Sequence, residues 1–277
     1  MTPDDYCQRK AAQSGSSFYY AFLFLPPERR RAITALYAFC REVDDVVDEC
    51  TDPDVAGAKL AWWRQEIGAL EAGSPQHPVT QALAPLARTY GITRERLGEI
   101  IDGMEMDLRQ SRYADLAGLE RYCYHVAGVV GLLAAGIFGY ANPQTLEYAK
   151  ALGTAFQLTN IVRDVGEDAR KNRIYLPLED LARFGVPAAD ILNRRHTDAF
   201  TRLMAFQVER AEARYASALA LLPAEDARAQ RPGLVMAAIY RTLLAEIRSD
   251  GYRVLDHRVA LTPIRKLWIA WKTWVTA

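Results

Sequence analysis

The chain has 277 residues, half of them hydrophobic, enough to bury a sizeable core. Its 34 basic residues balance 34 acidic ones, which excludes the strong overall field that draws nucleic acid and leaves charge-based function to local clusters. Cys7, Cys40, Cys50 and Cys123 lack a C-x-x-C spacing and the opening MTPDDYCQRK is polar, so reduced thiols in a soluble, cytoplasmic protein are expected.

No run of alternating polar and apolar residues is long enough to suggest a sheet, so the fold class expected is all-α, in one domain over 1–277. Turn signals from Pro26-Pro27 to Pro232 divide the chain into roughly ten helix-sized segments. The helix beginning near Glu28 carries Ile33, Leu36, Tyr37, Cys40, Asp44, Val47 and Asp48 at steps of one to four residues on one stripe, with Arg41 at its border. An apolar face therefore ends in carboxylates. Val126 to Phe138 falls short of the roughly 20 residues a membrane span needs and reads as a buried helix. Around it Ala127, Gly131, Ala135 and Gly139 recur every fourth residue, a face for close helix packing or a groove for a long apolar ligand. The helix from about Thr145 repeats the acidic arrangement with Gly153, Phe156, Gln157, Asn160, Asp164 and Asp168. Four-residue steps drift by roughly 40°, so the last three can face one cavity. Arg170, Lys171 and Arg173 follow at once, either a cap for an anion or a solvated loop.

Hard divalent cations such as Mg²⁺ take oxygen ligands and are usually held by one or two carboxylates together with substrate phosphates. One D-x-x-x-D is weak evidence, since a solvated helix face produces it too; two, each on an inward stripe and accompanied by Arg41 or Arg163, point to a metal that neutralises a departing diphosphate. A carbocation left behind needs an apolar chamber faced with aromatic rings, for which Phe18, Phe22, Tyr37, Tyr122, Phe156 and Tyr240 are candidates against ordinary core packing. The histidines are scattered without H-E-x-x-H, and neither G-x-G-x-x-G after a strand nor a P-loop occurs.

Asp44-Asp45-Val46-Val47-Asp48-Glu49 after Cys40-Arg41, Tyr122-Cys123-Tyr124-His125-Val126-Ala127-Gly128, and Gln157 through Asp168 together resemble the squalene and phytoene synthase family, over about Ser14 to Arg258. The resemblance implies an all-helical isoprenoid synthase fold and head-to-head (1′-1) condensation of two prenyl diphosphates through a cyclopropylcarbinyl diphosphate. By motif, Asp44, Asp48, Asn160, Asp164 and Asp168 would bind Mg²⁺, with Mn²⁺ as a substitute. Ser17, Arg41, Arg163 and Arg258 would contact diphosphate, and Phe18, Tyr122, Gln157 and Tyr240 would line the reacting chains.

Within the family, Ser14 to Tyr20 and Phe24-Leu25-Pro26-Pro27-Glu28-Arg29-Arg30-Arg31 look most like bacterial presqualene diphosphate synthases of hopanoid biosynthesis. That resemblance implies farnesyl diphosphate as substrate, presqualene diphosphate as product, no NADPH and a downstream enzyme accepting the product. Phytoene, dehydrosqualene or squalene is the alternative product, and a catalytically silent scaffold of the same fold a further one. The tail Leu267 to Trp274 is too short to span a bilayer; it either packs on the body or touches the inner membrane peripherally through Trp268 and Trp271.

Overall fold

The computed structural model describes residues 1–13, 18–50 and 52–277. Among them every extended element is a helix: α1 (Pro3–Gln13), α2 (Phe18–Phe22), α3 (Pro27–Glu49), α4 (Pro53–Glu71), α5 (Pro78–Tyr90), α6 (Arg94–Arg109), α7 (Leu116–Cys123), α8 (Val129–Phe138), α9 (Gln144–Arg170), α10 (Leu178–Phe184), α11 (Ala188–Leu192), α12 (Asp198–Ala220), α13 (Arg231–Ser249) and α14 (Pro263–Thr276). The all-α expectation holds; the count exceeds ten because single segments hold more than one helix, α1 and α2 before Pro26, α6 to α8 between Gly91 and Asn142, α11 and α12 between Pro187 and Pro223.

Local chemistry sets the boundaries. Asp52 accepts from the amides of Asp54 and Val55, Thr93 from Arg96, Asp115 from Gly118 and Thr262 from Arg265, so orphan N-terminal donors are satisfied before α4, α6, α7 and α14. Gly91 and Gly185 close α5 and α10 at φ of 64° and 67°, a conformation that costs any residue with a Cβ.

The 27-residue α9 is the central post, about 40 Å long, with α8, α12 and α13 packed around it. Its approach to α8 is set by two glycines. A Cβ on Gly131 would stand 2.2 Å from the Ala149 carbonyl oxygen, and one on Gly153 would stand 2.3 Å from that of Ala127. The small-residue face is thus a packing face at Gly131, and Ala127, Gly131 and Ala135 also help line the cavity beside it. Gly139 does not belong to that face: it ends α8 at φ 87°, with Arg29 where its side chain would be.

The apolar stretch is longer than its sequence suggested. α7 runs through a π-helical turn, Tyr124–Gly128, into α8, giving an unbroken helical run Leu116–Phe138 of 23 residues, long and apolar enough to cross a membrane by length and composition. In the structure it packs against α6 and α9, and Val129, Leu133, Ala135 and Ile137 are buried.

These helices enclose a cavity of about 420 Å³ walled by α3, α8, α9 and α13. Because α8 runs antiparallel to α9, Phe138 and Tyr148 sit at the end remote from Asn160. Arg41, Asp44, Asn160, Arg163 and Arg258 line the opposite end.

Candidate active site

The apolar stripe of α3 buries Ile33, Leu36, Phe39, Val43 and Val47, which turns the last two turns of the helix toward the polar end of the cavity. Arg41 lies across that stretch, donating to Asp44 at 2.6 Å and to Asp45 at 2.5 Å. Burial pushes Asp44 up to about 7, against the pull of Arg41 and with help from Asp48 and Asp45. Asp48, one turn on, pairs with Lys171 at 3.0 Å and Arg173 at 3.1 Å from the loop after α9. Lys171 remains exposed and Arg173 is half-buried, and through Asp48 they tie the two acidic helices together.

On α9, Asp164 accepts from both Nε (2.7 Å) and the terminal nitrogen of Arg163 and from Arg258 Nε at 2.8 Å, while Arg258 also reaches Glu167 at 3.4 Å. Burial opposes its charge, but the two guanidiniums outweigh burial and hold Asp164 below the usual carboxylate range. Asn160 donates to Gln157 at 3.2 Å, and its Oδ1 is buried without a hydrogen-bond partner. Asp168 has no side-chain partner among the described residues; burial, then the charges of Asp164 and Asp107, push it up to about 8.

Asp107, at the end of α6, is the group that sequence reasoning missed. Tyr122 donates to one of its oxygens at 2.9 Å and Tyr175 to the other at 2.8 Å, and the Tyr122 and Tyr175 rings stack at 5.3 Å. Burial pushes Asp107 up to about 6, and its charge contributes to raising both Asp44 and Asp168, so it stands between the rows. Burial and Asp107 in turn drive the Tyr122 phenol well above its ordinary value. The signal was in the sequence: Asp107 follows Ile100 and Met104 on the buried stripe of α6.

Of the chamber candidates, Phe18, Phe22, Tyr37, Tyr122, Phe156 and Tyr240 all line the cavity. Phe18 and Tyr37 rings lie 5.4 Å apart, Phe156 and Tyr240 5.0 Å. Gln157 lies on the same wall. Ser17 falls outside the described residues.

Among the described residues no three His, Cys, Asp or Glu side chains form a ready-made metal cage. The donor set nevertheless fits a hard cation: an orphaned Asn160 oxygen, an unpaired Asp168 and carboxylates neutralised by arginine or lysine, with the remaining ligands expected from phosphate and water. The raised carboxyls make a pH prediction. Between its ordinary 3.8 and about 8, the Asp168 side chain is protonated in the folded chain and ionised in the unfolded one, so stability falls as pH rises through that window. The metal-free protein should therefore gain melting temperature from pH 8 to pH 6, and in Asp168→Asn this gain should shrink; calorimetry at the two pH values checks it. Binding of Mn²⁺, followed by electron paramagnetic resonance, should weaken over the same interval as protons compete for Asp44 and Asp168.

The squalene/phytoene synthase family model matches residues 11–265. A 15-cis-phytoene synthase of Synechocystis is 35% identical, the match covering 98% of this chain and 84% of that protein. A crystal structure of a dehydrosqualene synthase superposes with TM-score 0.88 at 29% identity, covering 99% of this chain and 96% of that one. The squalene synthase HpnC from Alicyclobacillus acidocaldarius gives TM-score 0.80 at 31% identity, covering 90% and 94%. The chain belongs to the squalene/phytoene synthase family. It has the all-α isoprenoid synthase fold of those neighbours, in a family of prenyltransferase-type enzymes acting on prenyl diphosphates.

Proposed function

We propose that the protein condenses two allylic prenyl diphosphates head to head, by way of a cyclopropylcarbinyl diphosphate. One observation carries this reading: a single cavity has Arg41, Asp44, Asn160, Arg163 and Arg258 at one end and Phe22, Phe138 and Tyr148 at the other, the two poles a diphosphate and its isoprenoid tail require. Arg41, Arg163 and Arg258 bind diphosphate oxygens, with Lys171 and Arg173 closing over from the loop. Mg²⁺ or Mn²⁺, held by Asp44, Asp48, Asn160, Asp164 and Asp168, would supply Lewis-acid neutralisation of the leaving diphosphate.

The first molecule's carbon–oxygen bond breaks and its electron pair leaves with diphosphate. The 2,3 double bond of the second attacks the allylic carbon, and a proton lost from that carbon closes the ring, with the freed diphosphate as acceptor. Tyr122 keeps its proton because burial and Asp107 disfavour the phenolate, so its ring face stabilises the cation without attacking it. Phe18, Phe156, Tyr240 and Gln157 hold the tails and keep water out.

For the product, the 15-cis-phytoene synthase relative supports opening of the cyclopropane to phytoene. Presqualene diphosphate from farnesyl diphosphate, passed to a downstream enzyme, is the second reading; the Phe24–Arg31 run favours it, as does the aromatic closure of the cavity by Phe22 and Phe138, ring centres 6.2 Å apart, which suits a shorter tail. Neither product needs NADPH. Incubation with farnesyl or geranylgeranyl diphosphate and Mg²⁺, with and without NADPH, followed by mass spectrometry, decides. A hydrocarbon from the longer substrate supports phytoene, presqualene diphosphate supports the second reading, and no turnover of either overturns the condensation and leaves the silent scaffold.

The closed end is testable by itself. Phe138→Ala should raise the kcat/KM ratio of geranylgeranyl over farnesyl diphosphate by about 10-fold, at a cost of about 3 kcal/mol in stability. Competition between the two substrates checks the first, and urea unfolding the second.

A further inference from the structure

The last helix has two apolar faces, and the body covers only one. Ala270 is fully buried, Ile269 is partly buried, and Trp274 stacks on Phe24 at 5.4 Å with Arg231 over its ring, so α14 is docked on α13 and α2. Its other side presents Ile264, Leu267, Trp268, Trp271 and Val275, exposed by 82, 46, 58, 49 and 61%. At 100° per residue these five fall within an arc of about 100°. The Trp268 and Trp271 rings stand side by side at 5.1 Å. α14 carries three basic residues, Arg265, Lys266 and Lys272, and no acid.

We infer that this stripe is a docking surface for the interface of a bilayer containing anionic lipid. The charge is complementary to such a surface: the exposed Lys272 borders the stripe on one side, the half-buried Arg231 lies over the Trp274 ring on the other, and Arg265 is paired to Glu246 at 2.6 Å. Paired tryptophans at the rim of an apolar stripe match the headgroup level, where an indole is half in hydrocarbon and half in water. The size argues against a second copy of the chain. A 14-residue helix about 21 Å long and about 10 Å wide offers about 200 Å², against about 800 Å² per partner in a stable dimer. The placement adds a use. Lys266, on the inward side of the same helix, and the preceding Val259, Ala260 and Leu261 line the cavity, so a docked α14 holds that wall of the cavity close to the membrane surface. The docking rests on the surface alone and not on which reaction the cavity performs.

The test is co-sedimentation of the full chain with vesicles of phosphatidylcholine containing one third phosphatidylglycerol, without substrate. Wild type should pellet, pure phosphatidylcholine should capture at least about 10-fold less of it, and added salt should release it. The triple variant Leu267→Ser, Trp268→Ser, Trp271→Ser should lose at least about 10-fold in binding while melting within a few degrees of wild type. Lys272→Glu, which leaves the apolar stripe intact, should weaken binding as well and serves where the triple variant does not fold. Wild type remaining in the supernatant, or variants that pellet like wild type, overturns the proposal. So does a wild-type dimer in light scattering that the triple variant turns into monomer without any vesicle capture.

Discussion

Asp44→Asn and Asp164→Asn are each expected to cut turnover by about 10³-fold, yet to move stability in opposite directions. Asp44 is ionised at a cost, since burial pushes it up to about 7. A neutral amide relieves that cost, and the metal-free Asp44→Asn protein should melt at or above wild type at pH 8. Asp164 is different: it is the counter-ion of the largely buried Arg163, whose remaining acidic support is the more distant Glu167, and it also receives Arg258. Losing the carboxylate leaves a buried guanidinium without its partner, a defect of about 3 kcal/mol. From the acidic rows alone both replacements would have been expected to spare the fold. Thermal unfolding beside single-turnover kinetics separates the two cases; equal melting temperatures would mean that the Arg163 pair contributes little.

Gly153→Ala should cost the fold about as much as Asp164→Asn although it lies outside the carboxylate rows. Its new methyl group would meet the Ala127 carbonyl oxygen at 2.3 Å and the Ala127 carbonyl carbon at 2.8 Å, atoms of the π-helical turn between α7 and α8, which moves only if that helical run moves. Overpacking of this kind costs about 3 kcal/mol. Because the helix that would shift carries Tyr122 upstream and the cavity wall downstream, activity should fall with stability. Urea unfolding and a product assay on the same preparation check both. Gly57→Ala is the control: nothing lies within 4 Å of its added methyl, so it should leave both unchanged or stabilise α4 slightly.

What was legible in the chain follows from what helical spacing encodes. Residues on one helix face announce themselves by steps of three and four, so Asp44 and Asp48 on α3 and Asn160, Asp164 and Asp168 on α9 could be grouped before any tertiary contact was known. Partners across helices could not. An arginine beside an acidic row, such as Arg163, suits an ion pair as well as a diphosphate, and the structure shows it paired with Asp164. Asp107 was hidden by its neighbours Asp102 and Glu105, which do form the solvated ion pair with Arg64 that such a run usually signals. Lys171 and Arg173 reach Asp48 because the chain reverses at Asn172, φ 55°, a turn that composition does not announce. The groove-or-packing question at Gly131 needed the position of Ala149.

Every guanidinium proposed here to grip a diphosphate is already engaged: Arg41 by Asp44 and Asp45, Arg163 and Arg258 by Asp164. An arriving diphosphate must take those arginines from their carboxylates, and each carboxylate so released is left wanting a cation. Anion and cation should therefore help one another in, by equal factors, since coupling between two binding equilibria is reciprocal. Titrated singly, pyrophosphate and a divalent ion should each bind poorly; titrated together, each should sharpen the other's isotherm, with little change in the net charge of the pocket from start to finish.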